Sequence, residues 1–176
     1  MNDYPSVTTI LGLYFDKTKI NPSRLEYASS RGTEVHAICG AIAKKIWVPT
    51  IPPDCAGYVL SFQTWFNANV RKVIFVEKEF IDTIHGYKGH PDIVVVLVDN
   101  STILVDLKTP LQKIKIWRGQ MAAYKNLVEQ EIKIDRIGSL RLSPHGRPPV
   151  FDEYQDSAMD FTAFLAALSA YRYFCE

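Results

Sequence analysis

The segment GYKGHPDIVVVLVDNSTILVDLK, residues 86–108, decides the fold predicted for this chain. Two apolar runs, residues 93–98 and 102–107, are rich in β-branched side chains and flank the polar residues 99–101. Such runs around a short polar break predict an antiparallel β-hairpin. The hairpin carries charged side chains at its open end, since Asp92 precedes the first run and Asp106 and Lys108 close the second.

Strand geometry decides whether these three side chains meet. Because side chains alternate along a strand, Asp106 and Lys108 lie on one face of the sheet. Asp92 joins that face if paired residue numbers sum to an even value, as in a three-residue loop at residues 99–101 with Val98 opposite Thr102. A two-residue loop would place Asp92 on the other face. We expect the three-residue loop, which brings two carboxylates and a lysine together at one sheet edge.

Composition limits the classes of protein to which the chain can belong. Its 176 residues fit one domain with a substantial core, and 47% hydrophobic with 22% charged residues is typical of a globular protein. The net charge of +1 gives no overall field toward nucleic acid, so any such contact must come from local basic clusters. The three cysteines are widely spaced, which predicts a protein of the reducing cytoplasm. The sequence shows no leader and no apolar run long enough to span a bilayer, which predicts a soluble protein away from membranes.

The rest of the chain predicts helices packed around a sheet. Apolar residues recur at helical spacing over residues 33–46, 54–69, 117–130 and 156–174, and a short helix follows Asn21 and ends near Gly32. Ser6 or Thr8 is expected to cap a further short helix. Strands are expected at residues 73–81, 132–142 and 150–154. This order predicts an α/β fold, with a mixed central β-sheet flanked by helices, as a single domain over residues 1–176.

Five short motifs occur in order along the chain. They are P-S-V-T at residues 5–8, R-G-T-x-x-H at 31–36, v-E-x-x-f at 76–80, G-x-x-D at 89–92 with D-x-K at 106–108, and Q-x-x-x-Y at 120–124. Together they resemble the PD-(D/E)XK nuclease superfamily, in its RecB-like exonuclease branch of phage and mitochondrial type. The resemblance covers residues 5–124 and implies a restriction-endonuclease-like core.

The resemblance implies a divalent metal site. Asp92, Asp106, His36 and the backbone carbonyl of Leu107 are the expected ligands of Mg²⁺ or Mn²⁺, and an imidazole among the ligands favours Mn²⁺ somewhat. Glu77 matches a family glutamate that lies near the metal site and holds a second ion or a metal-bound water. The catalytic set is then Asp92, Asp106 and Lys108, in which the lysine orients the attacking water or stabilises the transition state.

Seven residues are expected to contact nucleic acid. Gln120 and Tyr124 lie one turn apart on a predicted helix, and the resemblance implies that they hold the DNA or the scissile phosphate. Basic residues also cluster directly after the D-x-K motif, where a phosphate backbone would pass. The expected contacts are Gln120, Tyr124, Arg31, Lys113, Arg118, Ser6 and Thr8.

The resemblance therefore implies a metal-dependent deoxyribonuclease, an exonuclease acting on single strands or DNA ends in recombination, repair or phage DNA processing. The chain lacks helicase motifs, so a motor or a recombination protein would be a separate partner. Its cysteines do not have the clustered spacing of the iron–sulfur members of the branch, so we expect no iron–sulfur cluster.

Two other interpretations remain open at the level of sequence. One is a catalytically silent nuclease-fold protein that binds DNA or a protein partner. The other is an unrelated α/β domain with coincidental motifs. A separation of Asp92 and Asp106 above about 10 Å would select the unrelated domain, because the shell of one ion cannot join carboxylates so far apart.

Overall fold

The computed structural model describes residues 4–16 and 21–175. Helices and strands follow one another along these residues in the order α1 (Val7–Gly12), α2 (Pro22–Ala43), α3 (Pro53–Asn69), β1 (Val70–Val76), β2 (Phe80–Asp82), β3 (Tyr87–Gly89), β4 (Ile93–Leu97), β5 (Thr102–Lys108), α4 (Ile116–Val128), β6 (Arg136–Arg141), β7 (Val150–Glu153) and α5 (Ser157–Cys175).

Five of the strands form one mixed sheet, in the order β1-β4-β5-β6-β7. The pairs β1–β4, β4–β5 and β6–β7 are antiparallel, whereas β5 and β6 are parallel. Parallel neighbours need a crossover connection, and α4 lies in the one between β5 and β6. The predicted class, an α/β fold with a mixed central sheet flanked by helices, is confirmed.

In the β4–β5 hairpin, the numbers of paired residues have an even sum, as predicted. Val96 pairs with Thr102, so paired residue numbers sum to an even value. Continuing this register past the end of β4 places Asp92 opposite Asp106. The predicted pairing of Val98 with Thr102 is wrong, because the three-residue loop lies one position earlier, at residues 98–100.

Local hydrogen bonding explains the position of this loop. The backbone N–H of Leu97 donates to the carbonyl of Ser101 at 2.9 Å and closes the loop. Asp99 accepts from the backbone N–H of Ser101 at 2.9 Å, and Asn100 adopts φ of 70°. Asparagine tolerates this left-handed conformation better than most residues, so the turn is centred on it and Ser101 is left to pair.

The strand predicted at residues 73–81 is broken in two. β1 ends at Val76, and Glu77 has φ of 52°, which turns the chain out of the central sheet. Residues 80–82 form β2 instead, and β2 pairs with β3 in a separate two-stranded sheet. Glu77 and Glu79 therefore do not share a face of one strand, although their alternation in the sequence suggested it.

Helix α2 continues through Gly32, so the helix end predicted there is wrong. A glycine inside a helix costs about 1 kcal/mol relative to alanine, a cost that tertiary packing of a long helix readily offsets. A Cβ at Gly32 would lie 3.5 Å from Thr109 Oγ1, so α2 passes close to the segment that follows β5. The small residue thus marks a contact between two elements.

The other predicted elements are present with shifted ends. Ser6 caps α1 by accepting a hydrogen bond from the backbone N–H of Thr9 at 3.0 Å, as one of the two predicted caps. Residues 132–135 precede β6, which is shorter than predicted. No helix within residues 4–16 and 21–175 is long and apolar enough to cross a bilayer.

Apolar side chains pack on both faces of the sheet. On one face, Val94 and Leu104 pack with side chains of α1, α4 and α5. On the other, Val95 and Val105 pack with side chains of α2 and α3. Because strand side chains alternate, the even-numbered residues at the ends of β4 and β5 belong to the face covered by α1, α4 and α5.

Candidate active site

The hairpin register brings the predicted acidic side chains to one place. Asp92 and Asp106 continue the face of Val94 and Leu104, which are paired and buried. Lys108 lies two residues further along β5, and its Nζ is 2.5 Å from Asp106 Oδ2. Two carboxylates and a lysine therefore converge at the end of the sheet where the sequence predicted them.

The residue between Asp106 and Lys108 presents backbone groups to this cluster. The N–H of Leu107 donates to Asp92 Oδ2 at 2.7 Å. In a strand, the N–H and C=O of one residue point to the same side, so the Leu107 carbonyl also points toward Asp92. The register places Pro91 opposite Leu107, and proline has no N–H to donate. The carbonyl predicted as a metal ligand thus has no backbone donor across the hairpin.

His36 reaches the cluster from α2, on the opposite side of Asp92. Its Nδ1 lies 3.3 Å from Asp92 Oδ2, and 28% of its side chain is exposed. The same carboxylate oxygen also accepts the Leu107 N–H. Asp92 Oδ2 is therefore held by both groups. His36 contacts Asp92 directly, and its role as a ligand of an ion shared with both aspartates stays a prediction.

Gln120 of α4 connects the lysine to one of the acids. Its Oε1 accepts a hydrogen bond from Lys108 Nζ at 2.9 Å, and its Nε2 donates to Asp106 Oδ1 at 3.4 Å. The same Nε2 donates to the Tyr124 hydroxyl at 3.3 Å. The Trp117 ring lies one turn earlier, with its centroid 5.3 Å from Lys108 Nζ. Gln120 thus positions Lys108 and Asp106 directly, and Tyr124 contacts Gln120.

A cavity of about 330 Å³ opens above the cluster. Gly89 borders it, and a Cβ at that position would lie 2.7 Å from the Tyr124 ring. Only a residue without a side chain lets α4 approach this closely, which explains the glycine of the G-x-x-D motif. The cavity is lined by Ser6, Thr8, His36, Gly89, His90, Asp92, Asp106, Lys108, Gln120 and Tyr124.

The charges in this cluster are mutually dependent. Burial raises the pKa of Asp106, and repulsion from the Asp92 carboxylate raises it further. The Lys108 ammonium lowers this pKa, but the net pKa remains above the ordinary value. Burial also disfavours the Asp92 carboxylate, yet the charge and hydrogen bond of His36 hold the pKa of Asp92 below its usual range. Burial lowers the pKa of His36, but the Asp92 carboxylate raises it to a net value above the ordinary one. Of the two acids, Asp106 therefore takes up a proton more readily.

The donor atoms suit a hard divalent cation. Asp106 Oδ2 is buried and, apart from its ion-pair contact with Lys108, has no hydrogen-bond partner in the described part of the chain. Mg²⁺ is commonly held by one or two carboxylates and keeps several waters. In their present conformations, no three His, Cys, Asp or Glu side chains of residues 4–16 and 21–175 are grouped to hold an ion. The site thus offers two carboxylates and a carbonyl rather than a cluster of three side chains.

Glu77 lies behind this cluster and does not line the main cavity. Its backbone N–H donates to the carbonyl of Asp92 at 2.8 Å, and its side chain lies 3.6 Å from Lys44 Nζ. It borders a gap of about 10 Å³ together with His36 and Asp92. A gap of that size holds about one water at most. Glu77 is thus a neighbour of the predicted ligands, separated from Asp106 and Lys108.

The other predicted nucleic-acid contacts fall into three places. Ser6 and Thr8 border the main cavity, with their hydroxyl oxygens 3.0 Å apart. Arg31 and Lys113 border a second cavity of about 890 Å³, which shares His36 with the main one. Arg118 points away from both, because its guanidinium pairs with Asp160 of α5 at 3.0 Å. Arg118 is therefore the predicted contact that the structure does not bring to the site.

Sequence reasoning missed two residues that border the site. His90 lines the main cavity, and its Nε2 lies 3.2 Å from Glu79 Oε2. The Trp117 ring lies against the Lys108 ammonium, and Trp117 is 5% exposed. The adjacency of His90 to Asp92 in the sequence was an available signal, whereas Trp117 looked like an ordinary buried residue of α4.

Comparisons with known proteins add little to this picture. No protein-family model matches the chain, and no curated protein matches it. Eighteen chains of solved structures do match. One, described as the crystal structure of SSO0001, is 16% identical with a TM-score of 0.41, and the match covers 97% of this chain and 84% of that chain. At that TM-score the likeness defines no shared activity.

Proposed function

We propose that this chain is a divalent-metal-dependent deoxyribonuclease of the PD-(D/E)XK superfamily, similar to the RecB-like exonuclease branch. The observation that carries the proposal is the convergence of Asp92, Asp106 and Lys108 on one sheet face, beside a cavity, in the arrangement that the D-x-K motif requires. Chance occurrence of the motif would not bring the earlier aspartate, the histidine of R-G-T-x-x-H and the glutamine of Q-x-x-x-Y to the same cavity.

Mg²⁺ or Mn²⁺ is the proposed cofactor. Asp92 and Asp106 would hold it, together with the Leu107 carbonyl and, after release of its contact with Asp92, His36. Such an ion neutralises charge on a phosphodiester and lowers the pKa of water. Asp106 is buried with Lys108 Nζ 2.5 Å from its Oδ2, and a cation bound at the site would compensate the same carboxylate charge. Glu77 belongs to the surroundings of this ion rather than to its ligands.

The chain's own residues supply positioning and charge. Lys108 carries a cation next to the proposed position of the scissile phosphate, where it would stabilise the negative charge that develops on the phosphate oxygens. Gln120 holds that ammonium at 2.9 Å and thereby fixes its direction. His36 holds Asp92 by its ring Nδ1. These contacts are in place within one protein conformation, which limits reorganisation during the reaction.

DNA is the proposed substrate, as single strands or duplex ends, in recombination, repair or phage DNA processing. The cavities beside the cluster, of about 330 and 890 Å³, are in the size range that accommodates a small segment of a ligand rather than a duplex. A separate helicase or recombination protein would supply unpaired strands. With free thiols at Cys39, Cys55 and Cys175, we assign the protein to the reducing cytoplasm.

A catalytically silent nucleic-acid-binding protein is the second candidate. One observation favours it: the described residues present no group of three side chains able to hold an ion. In such a protein, Lys108 and Gln120 would serve permanently as partners of Asp106.

A cleavage assay distinguishes the two. End-labelled single- and double-stranded DNA is incubated with the wild type in Mg²⁺, Mn²⁺ or EDTA, alongside Asp106→Asn and the control Glu26→Gln, which changes an exposed carboxylate of α2. We expect metal-dependent degradation by the wild type and the control and none by Asp106→Asn. Binding of DNA without cleavage in either metal would select the silent protein.

A further inference from the structure

A second cavity continues from the candidate active site. It has a volume of about 890 Å³, lies between α2 and residues 109–114, and shares His36 with the main cavity. The two segments approach each other closely at Gly32 and Thr109, because a Cβ at Gly32 would be in van der Waals contact with the Thr109 hydroxyl. A strand bound with one phosphate at the active site would therefore have room for its next nucleotide here.

One acidic residue, Asp16, lines this cavity, and so does the cation Arg31. Its guanidinium lies over the rings of Tyr27 and Tyr58, 5.4 and 5.1 Å from their centroids. Its Nε is buried and has no hydrogen-bond partner in the part of the chain that the structure describes. Among those residues, no aspartate or glutamate lies within 4 Å of its nitrogens, since the ion pairs of this region join other cations.

Lys113, on the other wall of the cavity, is already paired with Asp152 at 3.4 Å. A partly buried cation with an unused donor is costly unless an anion compensates it. At Arg31 a phosphate would find a cation that forms no ion pair within the described residues, and a planar fork of donors held in place by two rings.

Arg31 lies one step further from the two aspartates than His36 does, because His36 lines both cavities and Arg31 lines the second one. Resting on the proposed nuclease function, we propose that Arg31 binds the phosphate adjacent to the scissile one in an unpaired strand. The substrate class is then a single-stranded polynucleotide with at least one phosphate beside the bond to be cut, rather than an isolated phosphodiester.

The test pairs a protein change with a change in one phosphate. Single-stranded oligonucleotides carry one uncharged methylphosphonate at successive linkages, and their binding is measured at low salt in EDTA, where no cleavage occurs. For the wild type we expect one position whose neutralisation weakens binding by about tenfold or more, the range of a hydrogen bond to a charged group. Arg31→Gln should bind the unmodified oligonucleotide about that much more weakly and lose the position-specific penalty.

Two further variants complete this cycle. Arg24→Gln, an exposed arginine of the same helix, should retain the full penalty. Arg31→Lys keeps the charge without the fork and should show a penalty smaller than that of the wild type. Because each protein is compared with itself on two oligonucleotides, a change in its stability cancels.

The outcomes separate this proposal from the nuclease function. Two results would overturn the Arg31 subsite. One is a position-specific loss of binding in Arg31→Gln and Arg31→Lys that equals the loss in the wild type. The other is a wild type in which no position shows such a loss. Loss of cleavage in every metal overturns the nuclease function, and it leaves the binding cycle readable because that cycle uses no cleavage.

Discussion

Asp106→Asn should make the unfolding free energy of the protein less dependent on pH while destroying its site. Asp106 is 2% exposed, and burial raises the pKa of its carboxyl above the ordinary value despite the contact with Lys108. Between about pH 4, where an unfolded aspartate titrates, and the folded-state pKa, the folded wild type binds more protons than the unfolded chain. Its stability therefore falls as pH rises through this window. Asparagine has the same shape and no proton to lose.

The magnitude follows from one proton. The unfolding free energy of the wild type, relative to Asp106→Asn, should fall by up to about 1.4 kcal/mol per pH unit above about pH 4, and the difference should become constant above the folded-state pKa. The lowered pKa of Asp92 changes the unfolding free energy with pH only below this window, and the raised pKa of His36 does so only above about pH 6.5. The range from about pH 4 to pH 6 thus isolates Asp106.

Urea unfolding in EDTA, followed by tryptophan fluorescence, measures the effect, with Glu26→Gln as control. Addition of Mn²⁺ at 100 times its Kd should stabilise the wild type by about 2.7 kcal/mol, and it should stabilise Asp106→Asn much less because that variant has lost a ligand. If the unfolding free energy of the wild type, relative to that of Asp106→Asn, stays constant or increases as pH rises, the reasoning that the folded site forces a proton onto Asp106 is refuted.

Three further changes test separate parts of the site. Lys108→Met should lower kcat by about 10²–10³-fold with DNA binding changed much less, as for removal of one transition-state donor; equal loss in both would assign Lys108 to binding. Gly89→Ala should cost about 1–3 kcal/mol by overpacking and lower activity by displacing Tyr124, measured by urea unfolding and cleavage rate; unchanged values would contradict the close approach. Arg118→Gln should lower stability only slightly, because the Arg118 partner of the Asp160 ion pair is 39% exposed, and it should leave DNA binding unchanged; weakened binding would restore Arg118 as a contact.

The sequence was sufficient to predict those site residues whose positions depend on the alternation of side chains along a strand. The even separation of Asp92 and Asp106 places both acids on one face only with a loop of odd length. The predicted three-residue loop met that condition, although it lies one position earlier than predicted. The loop was misplaced because Asp99, Asn100 and Ser101 are all turn formers, and the choice among them depends on which one adopts positive φ.

Features that depend on tertiary contacts could not be predicted. Glu77 turns the chain out of the sheet within a sequence that alternates like a strand. The unneutralised charge of Arg31 depends on which acids come near it in space. Gly32 looked like a helix end, but its role is to let α2 pass Thr109. Arg118 belonged to a basic cluster in the sequence, yet the helix turns it toward Asp160.

Anomalous scattering from crystals soaked in Mn²⁺ tests the central claim most directly. We predict a manganese peak in the main cavity at about 2–2.6 Å from oxygens of Asp92, Asp106 and the Leu107 carbonyl, with Lys108 moved off Asp106 Oδ2. A cavity without a peak, in which Lys108 and His36 keep their contacts with the two carboxylates, would contradict the assignment of this chain as a metal-dependent nuclease.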